Sequence, residues 1–494
     1  MSESVNTGLP ENWAQGQIKD LVAIRNGYAF KSKDFNTVDG VPVIRQTNLS
    51  SRVVNFNNPK FLPYVFLDEF ESYKINKGDV LIGLSGSIGN LSRYTQDEPA
   101  LQNQRTGLLV EKVPDGIKYV EYYLQLIKKD LLDAAKGVAV QNISSKTIED
   151  WRMPIAPLPQ QKHIVAKIEQ LFSHIDAGIE ALKKAKQLLK QYRQSVLKAA
   201  VTGELTKEWR EANKDNLEPA SQLLERILKE RRQKWEEQQL EQFTAKGKMP
   251  KDDKWKEKYK PASECDIDYQ NAFLSGINLP HGWALCSLDQ LSKLITDGDH
   301  NPPKRVESGI PHLTARNIVN GELDFTSCTY LTEEGFAQTR NRYDPMPGDV
   351  LITCVGTIGR IAIVPENVIF SADRNLAVTR LKVELVLPRY IEFLLNSPGI
   401  QNLLLAGSGS TAQPHIYLRQ IRALPIPLPT ISEQTRIIES VENRTISFNR
   451  LLAELEHQLF RADINKQSIL ASAFSGQLLE ESCLSESSAS EAHG

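Results

Sequence analysis

The sequence predicts an α+β protein: two tandemly duplicated mixed α/β domains separated by two long antiparallel coiled-coil helices. Three observations carry this. Motifs recur in one order at a nearly constant offset, so that "KGDVLIGLSGSIGN" from Lys77 returns as "PGDVLITCVGTIGR" from Pro347, 270 residues on, with eight of fourteen positions identical. After each copy an apolar residue falls on every seventh position for about four heptads, the seam of a coiled coil. Between these features, short strand-like runs alternate with turns rich in Gly, Asn and Asp.

The repeat is long. "LPENW" at Leu9 answers "LPHGW" at Leu279, "GVPVIRQTNLS" at Gly40 answers "GIPHLTARNIV" at Gly309, "MPIAPLP" ending at Pro159 answers "LPIPLP" ending at Pro429, and "QSVLKAAVTGEL" at Gln194 answers "QSILASAFSGQL" at Gln467. A unit of roughly 200 residues is too long for a solenoid and reads as a whole domain duplicated. The boundaries that follow are a first domain at 1–157, a first helix at 158–205, a charged helical linker at 206–278, a second domain at 279–429, a second helix at 430–478 and a disordered tail at 479–494.

Within each domain, Val80 to Ile82 and Val350 to Ile352 read as strands, and short amphipathic helices follow near Val120 to Leu132 and Pro388 to Leu395. The first long helix places Ile168, Ile175, Leu182, Leu189 and Val196 on its seam, with Leu171, Phe172 and Ile179 beside them. The second places Val441, Phe448, Leu455, Ala462 and Ile469 at the equivalent positions. Thr430 to Glu433 has capping-box spacing, and Gly203 and Gly476 stand where the helices should stop. At 1.5 Å per residue each helix is ~60 Å long. Helices of that length with narrow seams pair with each other. The linker helix "SQLLERILKERRQKWEEQQLEQF" gains support from Glu225–Lys229 and Glu230–Lys234, and the lysine-rich "AKGKMPKDDKWKEKYKP" after it reads as a solvated connector carrying Trp255 and Tyr259.

Composition excludes several function classes. The chain has 59 basic and 61 acidic side chains, a formal charge of −2, so nucleic-acid contact needs local basic faces or a partner that supplies charge. No apolar run reaches membrane-spanning length, and Met1 to Pro10 lacks the regions of a signal peptide. Five cysteines without zinc or redox spacing point to a reducing cytoplasm. Gly83, Gly86 and Gly89 form neither a dinucleotide fingerprint nor a P-loop. "NPPK" at Asn301 departs from the Asn/Asp-Pro-Pro-aromatic motif of amino-group DNA methyltransferases, because Lys304 cannot stack on a flipped base. The eight histidines are scattered, so no metal and no cofactor is expected on this chain.

Two α/β domains, each followed by a long helix, resemble the specificity subunit of type I restriction–modification systems. The resemblance rests on the paired "GDVLI…IG" turns, the "GVPVIRQTNLS" and "GIPHLTARNIV" segments, the helix starts "PLPQQKHIVAKIEQLF" and "PLPTISEQTRIIESV", the helix ends quoted above, and the central "LLERILKERRQKW". It covers nearly the whole chain apart from the tail, and its specificity lies in the order and double occurrence of the motifs. It implies two target-recognition domains, each reading one half of a gapped double-stranded DNA site, and helices that set the spacing and dock two modification subunits. S-adenosylmethionine would belong to those modification subunits, ATP and Mg to restriction subunits in the same assembly, and no catalytic residue to this chain. Two-fold-related readers meet one face of B-DNA when half-sites lie ~34–36 Å apart, within the reach of such helices.

Residues equal in both copies cannot distinguish unlike half-sites, so Gly78, Asp79, Gly86 and Gly89 read as scaffold. Differences are the candidates for base reading: Gln46 and Thr47 stand against Ala315 and Arg316, Ser85 against Val355, Asn90 against Arg360, while Arg105 and Arg374 are taken as matching. Arginine bonds two acceptors of guanine, and Asn or Gln pairs with adenine. The DNA-contacting set is therefore Lys31, Arg45, Gln46, Asn48, Ser87, Asn103, Arg105, Gln141 and Asn142 in the first copy, and Lys304, Arg305, Arg316, Asn317, Arg360, Arg374, Asn375, Gln413 and His415 in the second. An asymmetric target is expected. Two other readings stay open: a self-contained DNA adenine methyltransferase built on "NPPK", and a coiled-coil adaptor without sequence readout.

Overall fold

Two compact units make up the computed structural model: Met1–Lys184 with Leu455–Gly494, and Ala185–Glu454. The structure describes residues 9–35, 39–50, 52–137, 141–301, 303–382, 386–408 and 414–478. The tail expected at 479–494 lies outside the described residues, as does Gln413.

Each unit is built on the same four-stranded antiparallel sheet. In the first its order is Val22–Asn26, Thr106–Glu111, Val80–Gly83, Leu91–Arg93; in the second it is Ser292–Asp297, Leu376–Leu381, Val350–Thr353, Ile361–Ile363. The "DVLI" motif is thus an inner strand, which explains its unbroken apolar run: Val80, Leu81 and Ile82 and their counterparts Val350, Leu351 and Ile352 are all buried. A second sheet joins Val41–Ile44 to Ala100–Gln102, and Ile310–Leu313 to Ser371–Ala372, in parallel. A two-stranded ribbon pairs Ala14–Gln17 with Arg152–Ile155 and Ala284–Ser287 with Pro425–Leu428. The expected short helices are present as Gly116–Leu126 with Lys128–Ala134, and as Pro388–Leu395.

Two long helices, α1 (Leu158–Val201) and α3 (Ile431–Ser475), end within a few residues of the predicted glycines; between them lies α2 (Ala220–Ala245). The heptad seam is visible in the burial. Ile168, Val196, Val441 and Phe448 are buried, and Ile175, Leu182, Leu189, Leu455 and Ile469 are half-buried. Inside each unit α1 and α3 run antiparallel. In the second, Arg193 stacks over Phe448 at 5.6 Å, and Arg210, beyond the end of α1, reaches Glu433 near the start of α3. In the first, Lys466 lies over Phe172, and Phe474 packs on Tyr119 and Tyr123.

The recurrent "LPxxW" and "xGxL" motifs form the joints. Trp13 Nε1 donates to Gln160 Oε1 at 2.8 Å, and Trp283 Nε1 donates to Glu433 Oε2 at 2.8 Å, so each indole grips the first turn of the helix that follows its own domain. The other long helix arrives at the same place. Gly476, ending α3, faces Pro10 with 2.4 Å to an added Cβ, and Gly203, ending α1, faces Pro280 with 2.3 Å. Both glycines have positive φ, +87° and +76°. Gly203→Ala and Gly476→Ala should therefore each destabilise their unit by about 1–3 kcal/mol, through strain plus the clash with proline. Chemical denaturation of either variant checks this, with Gly247→Ala (φ +63°, nothing near its Cβ) reporting strain alone.

The linker departs from expectation. Glu225–Lys229 and Glu230–Lys234 are not within ion-pair distance; the i,i+4 pair that forms on α2 is Arg232–Glu236 at 3.0 Å. The lysine-rich segment 245–261 is largely exposed, whereas the helix before it is anchored at its start. Ala220, Leu223 and Ile227 are buried in the core of the second unit, and the buried Lys382 ammonium donates to the Ile227 carbonyl at 2.7 Å. Trp255 and Tyr259 fold back on Trp235, with ring centroids at 5.9 and 5.4 Å, so their faces are engaged within the chain. The capping box is half-made: Glu433 N–H donates to Thr430 Oγ1 at 3.3 Å, but the Glu433 carboxylate turns to Arg210, Thr206 and Trp283 instead of its own turn.

Candidate nucleic-acid interface

In each copy the loops at one end of the central sheet are tied together by backbone hydrogen bonds. In the first, Tyr28 N–H donates to Gln102 O, Asn103 N–H to Ile44 O, Leu84 N–H to Arg105 O and Ile143 N–H to Leu84 O. In the second, the same four bonds run from Asp299 to Ala372, Asp373 to Leu313, Cys354 to Asn375 and Ile416 to Cys354. Ser85 bridges Asn142 just as Val355 bridges His415. Asn103, Arg105 and Asn142 thus lie on joined loops of the first unit, and the Ser87 turn is bonded to the Gln46 turn. Arg374, Asn375 and His415 lie on the equivalent loops of the second, where Arg305 stands 3.8 Å from Asp373 and Arg360 bonds Ile318 O beside the Arg316 turn.

These bonds also correct the alignment. The carbonyls of Arg105 and Asn375 accept from the equivalent Leu84 and Cys354 N–H groups, so Arg105 corresponds to Asn375 and Gln104 to Arg374. The two arginines are not a shared feature. Each is exposed, and among the described residues neither has a carboxylate within ion-pair distance.

Several candidates are committed to the scaffold. Asn48 and Asn317 are buried. Each accepts the N–H of the residue three before it and donates to the carbonyl seven ahead, Asn55 O at 2.9 Å and Asp324 O at 3.0 Å. Neither presents an amide edge outward. Arg45 donates to Asn58 O at 3.1 Å and keeps Nε buried; Gln46 packs on Gly86, with 2.9 Å from Nε2 to an added Cβ. Ser87 Oγ is bonded to Gln46 O at 3.0 Å. Lys31, Arg105, Gln141 and Asn142 in the first copy and Lys304, Arg305, Arg316, Arg360, Arg374 and His415 in the second are exposed, while Asn103 and Asn375 are half-buried.

Electrostatics hold the second face in shape. Burial alone would raise the pKa of Asp373, but His312, the Asn375 N–H and Arg305 outweigh it and keep the carboxylate below its ordinary value. Asp297 behaves likewise, burial being overcome by Arg342 and His300, so the "DGDHNPPK" loop is clamped on a charged aspartate. The candidate set passes over two aromatic groups. Tyr28, 38% exposed, heads a cluster with Phe30, Phe70 and Tyr73, and exposed Tyr417 stacks on His415 at 4.4 Å and 21°. The density of Tyr and Phe in 28–73 was the available signal. Exposed rings beside free cations can stack on bases.

The family model described as Type I restriction modification DNA specificity domain matches residues 10–188 and 280–459, one match per copy. The chain belongs to that family. It is 27% identical to the EcoBI specificity subunit of Escherichia coli over 478 residues, covering 95% of this chain and 87% of that protein, and 22% identical to the EcoKI specificity subunit of strain K12, covering 95% and 90%. A solved chain from a study of complex assembly and conformational transition of the type I R-M system has the same fold, with a TM-score of 0.62 at 15% identity over 95% of this chain and all of that one. As a family member the chain is a DNA sequence-recognition subunit, and the duplicated α+β architecture is the family's own. Among the described residues no helix is long and apolar enough to cross a membrane, and no group of His, Cys, Asp or Glu is placed to hold a metal.

Proposed function

We propose that each exposed loop face reads one half of a gapped, asymmetric double-stranded DNA site, and that the paired helices α1 and α3 set the spacing and dock two modification subunits. The supporting observation is the equivalence of the faces: hydrogen bonding superposes their frames, yet the outward side chains differ, Gln104 against Arg374 and Asn142 against His415. Methyl transfer from S-adenosylmethionine belongs to the modification subunits and ATP- and Mg-dependent cleavage to restriction subunits; this chain, in the cytoplasm, supplies the address and no catalysis. The helices' outward apolar side chains suit docking: Leu188, Tyr192 and Ile446 on the second unit and Phe460 and Ile464 on the first are half or more exposed. Deleting the gene should remove N6-methyladenine from one gapped, two-part motif in a genome-wide map. An unchanged map in a host with an active modification subunit would refute the reading.

A further inference from the structure

The two copies differ where the recognition domain meets its helices. In the first unit Arg52, on the loop after the Asn48 turn, donates to Asp176 of α1 at 2.6 Å, and Lys466 of α3 bonds the same carboxylate while both cations lie over Phe172. The junction is closed by its own anion.

Equivalent positions in the second unit follow from shared bonds. Gln161 and Gln434 each donate a side-chain amide to the carbonyl five residues back, which sets the helix offset at 273 and matches Asp176 with Asn449 and Lys466 with Arg193. The Asn48 and Asn317 turns set the loop offset at 269 and match Arg52 with Gly321. The carboxylate is gone and the loop cation with it, but the helix cation persists as Arg193. In their place is a cleft of about 840 Å³, lined by Gly321, Glu322 and Asn449 and by four arginines, Arg193, Arg360, Arg389 and Arg444. Arg389 is neutralised by Glu392 and Glu442. The other three each spend little: Arg193 lies over Phe448, Arg360 donates once to Ile318 O, Arg444 once to Ser440 O. Among the described residues none of the three has a carboxylate within ion-pair distance.

We infer that this cleft of the second copy seats phosphates of the DNA backbone, where the first copy seats its own aspartate. The inference rests on the DNA-reading function proposed above. Backbone phosphate is favoured over a protein carboxylate by continuity: Arg360 belongs to the exposed loop face, and the carbonyl it bonds, Ile318 O, is two residues from exposed Arg316. A strand read at Arg316 therefore has its flanking phosphates beside Arg360, and Arg444 and Arg193 line the same cleft. Phosphate contacts position a duplex without reading it.

The test uses the full chain reconstituted with its modification subunits, and anisotropy titrations of two duplexes, one carrying the motif found in the methylation map and one scrambled. Arg193→Gln with Arg444→Gln should weaken both duplexes by the same factor, about tenfold or more at low salt, and lower the slope of log K against log salt by about 2, at ~0.9 per phosphate. Arg436→Gln, which removes a single positive charge from α3 outside the cleft, should do neither. An unchanged slope overturns the inference. So does a loss confined to the motif duplex, which would make the arginines part of base reading, or a loss of a modification subunit on gel filtration, which would assign the cleft to a protein carboxylate. Should the unaltered complex fail to prefer the motif, the DNA-reading function itself falls, and the slope on either duplex still reports on the cleft.

Discussion

Replacing Glu433 by alanine should cost the second unit about 3–5 kcal/mol, the range for removing one partner of a buried ion pair. Glu433 is 1% exposed and accepts three bonds, from Arg210 Nη1 at 2.6 Å, Thr206 Oγ1 at 2.7 Å and Trp283 Nε1 at 2.8 Å. Those donors come from the segment after α1 and from the start of the second copy, and the glutamate that accepts from them stands in the first turn of α3. Alanine would leave a guanidinium that is 12% exposed without a counter-ion, together with an unbonded indole and hydroxyl. Glu433→Gln keeps an acceptor for the indole, as Gln160 does for Trp13, and should recover part of the loss. Gln160→Ala, which removes a single neutral hydrogen bond, should cost only about 1 kcal/mol. Hydrogen exchange along 203–210 and 433–441 would measure the opening. Equal protection in Glu433→Ala and the unaltered chain would show that the joint carries no stability.

Much of this architecture was legible because the chain states it twice. The "GDVLI" repeat marked an inner strand and its turn in each copy; Gly86 and Gly89, with Gly356 and Gly359, all take positive φ, as invariant turn glycines should. The seam positions were legible from their period, since an apolar residue every 3.5 positions has one face to hide. The helix-end glycines were legible as stops, but their part in the joints, like that of "LPxxW", was not, because each joint brings together residues from distant parts of the chain, Pro10 with Gly476 and Pro280 with Gly203.

The candidate site was legible at the level of loops and less so at the level of side chains. Asn48 and Asn317 were chosen for their amide chemistry, but short polar side chains often bond their own backbone, and these two do. Their identity in the two copies was itself the sign of a scaffold role. Arg105 and Arg374 were matched by residue type, whereas strand register is set by backbone hydrogen bonds and differs by one residue from that match. Charge pairing is equally invisible in sequence: nothing in "NLSSRV" tells that Arg52 meets an aspartate 124 residues on.

Substituting Arg316 and Arg374 should erase discrimination at the half-site read by the second copy and leave the other half-site intact. Both guanidiniums are exposed on the loop face, and neither has a carboxylate within ion-pair distance among the described residues, so their donors are available to a partner. A bidentate arginine–guanine contact is worth about 1–3 kcal/mol of discrimination against a wrong base, and each alanine should relax one position by about 5- to 150-fold. The methylation map would show the motif degenerate at those positions, with spacer and opposite half unchanged. Had the residues bound only phosphate, the motif would keep its letters and methylation would fall at all sites alike, with a shallower salt slope in vitro. The exchange Gln104→Arg with Arg374→Gln sharpens the distinction. Backbone frames at the two positions are equivalent, so the folds should tolerate it, and a change of letters in both half-sites would establish that these positions carry sequence information. A chain that folds, assembles and methylates the original motif after the exchange would place base reading elsewhere on the faces, with the aromatic pairs at Tyr28 and Tyr417 next to be tested.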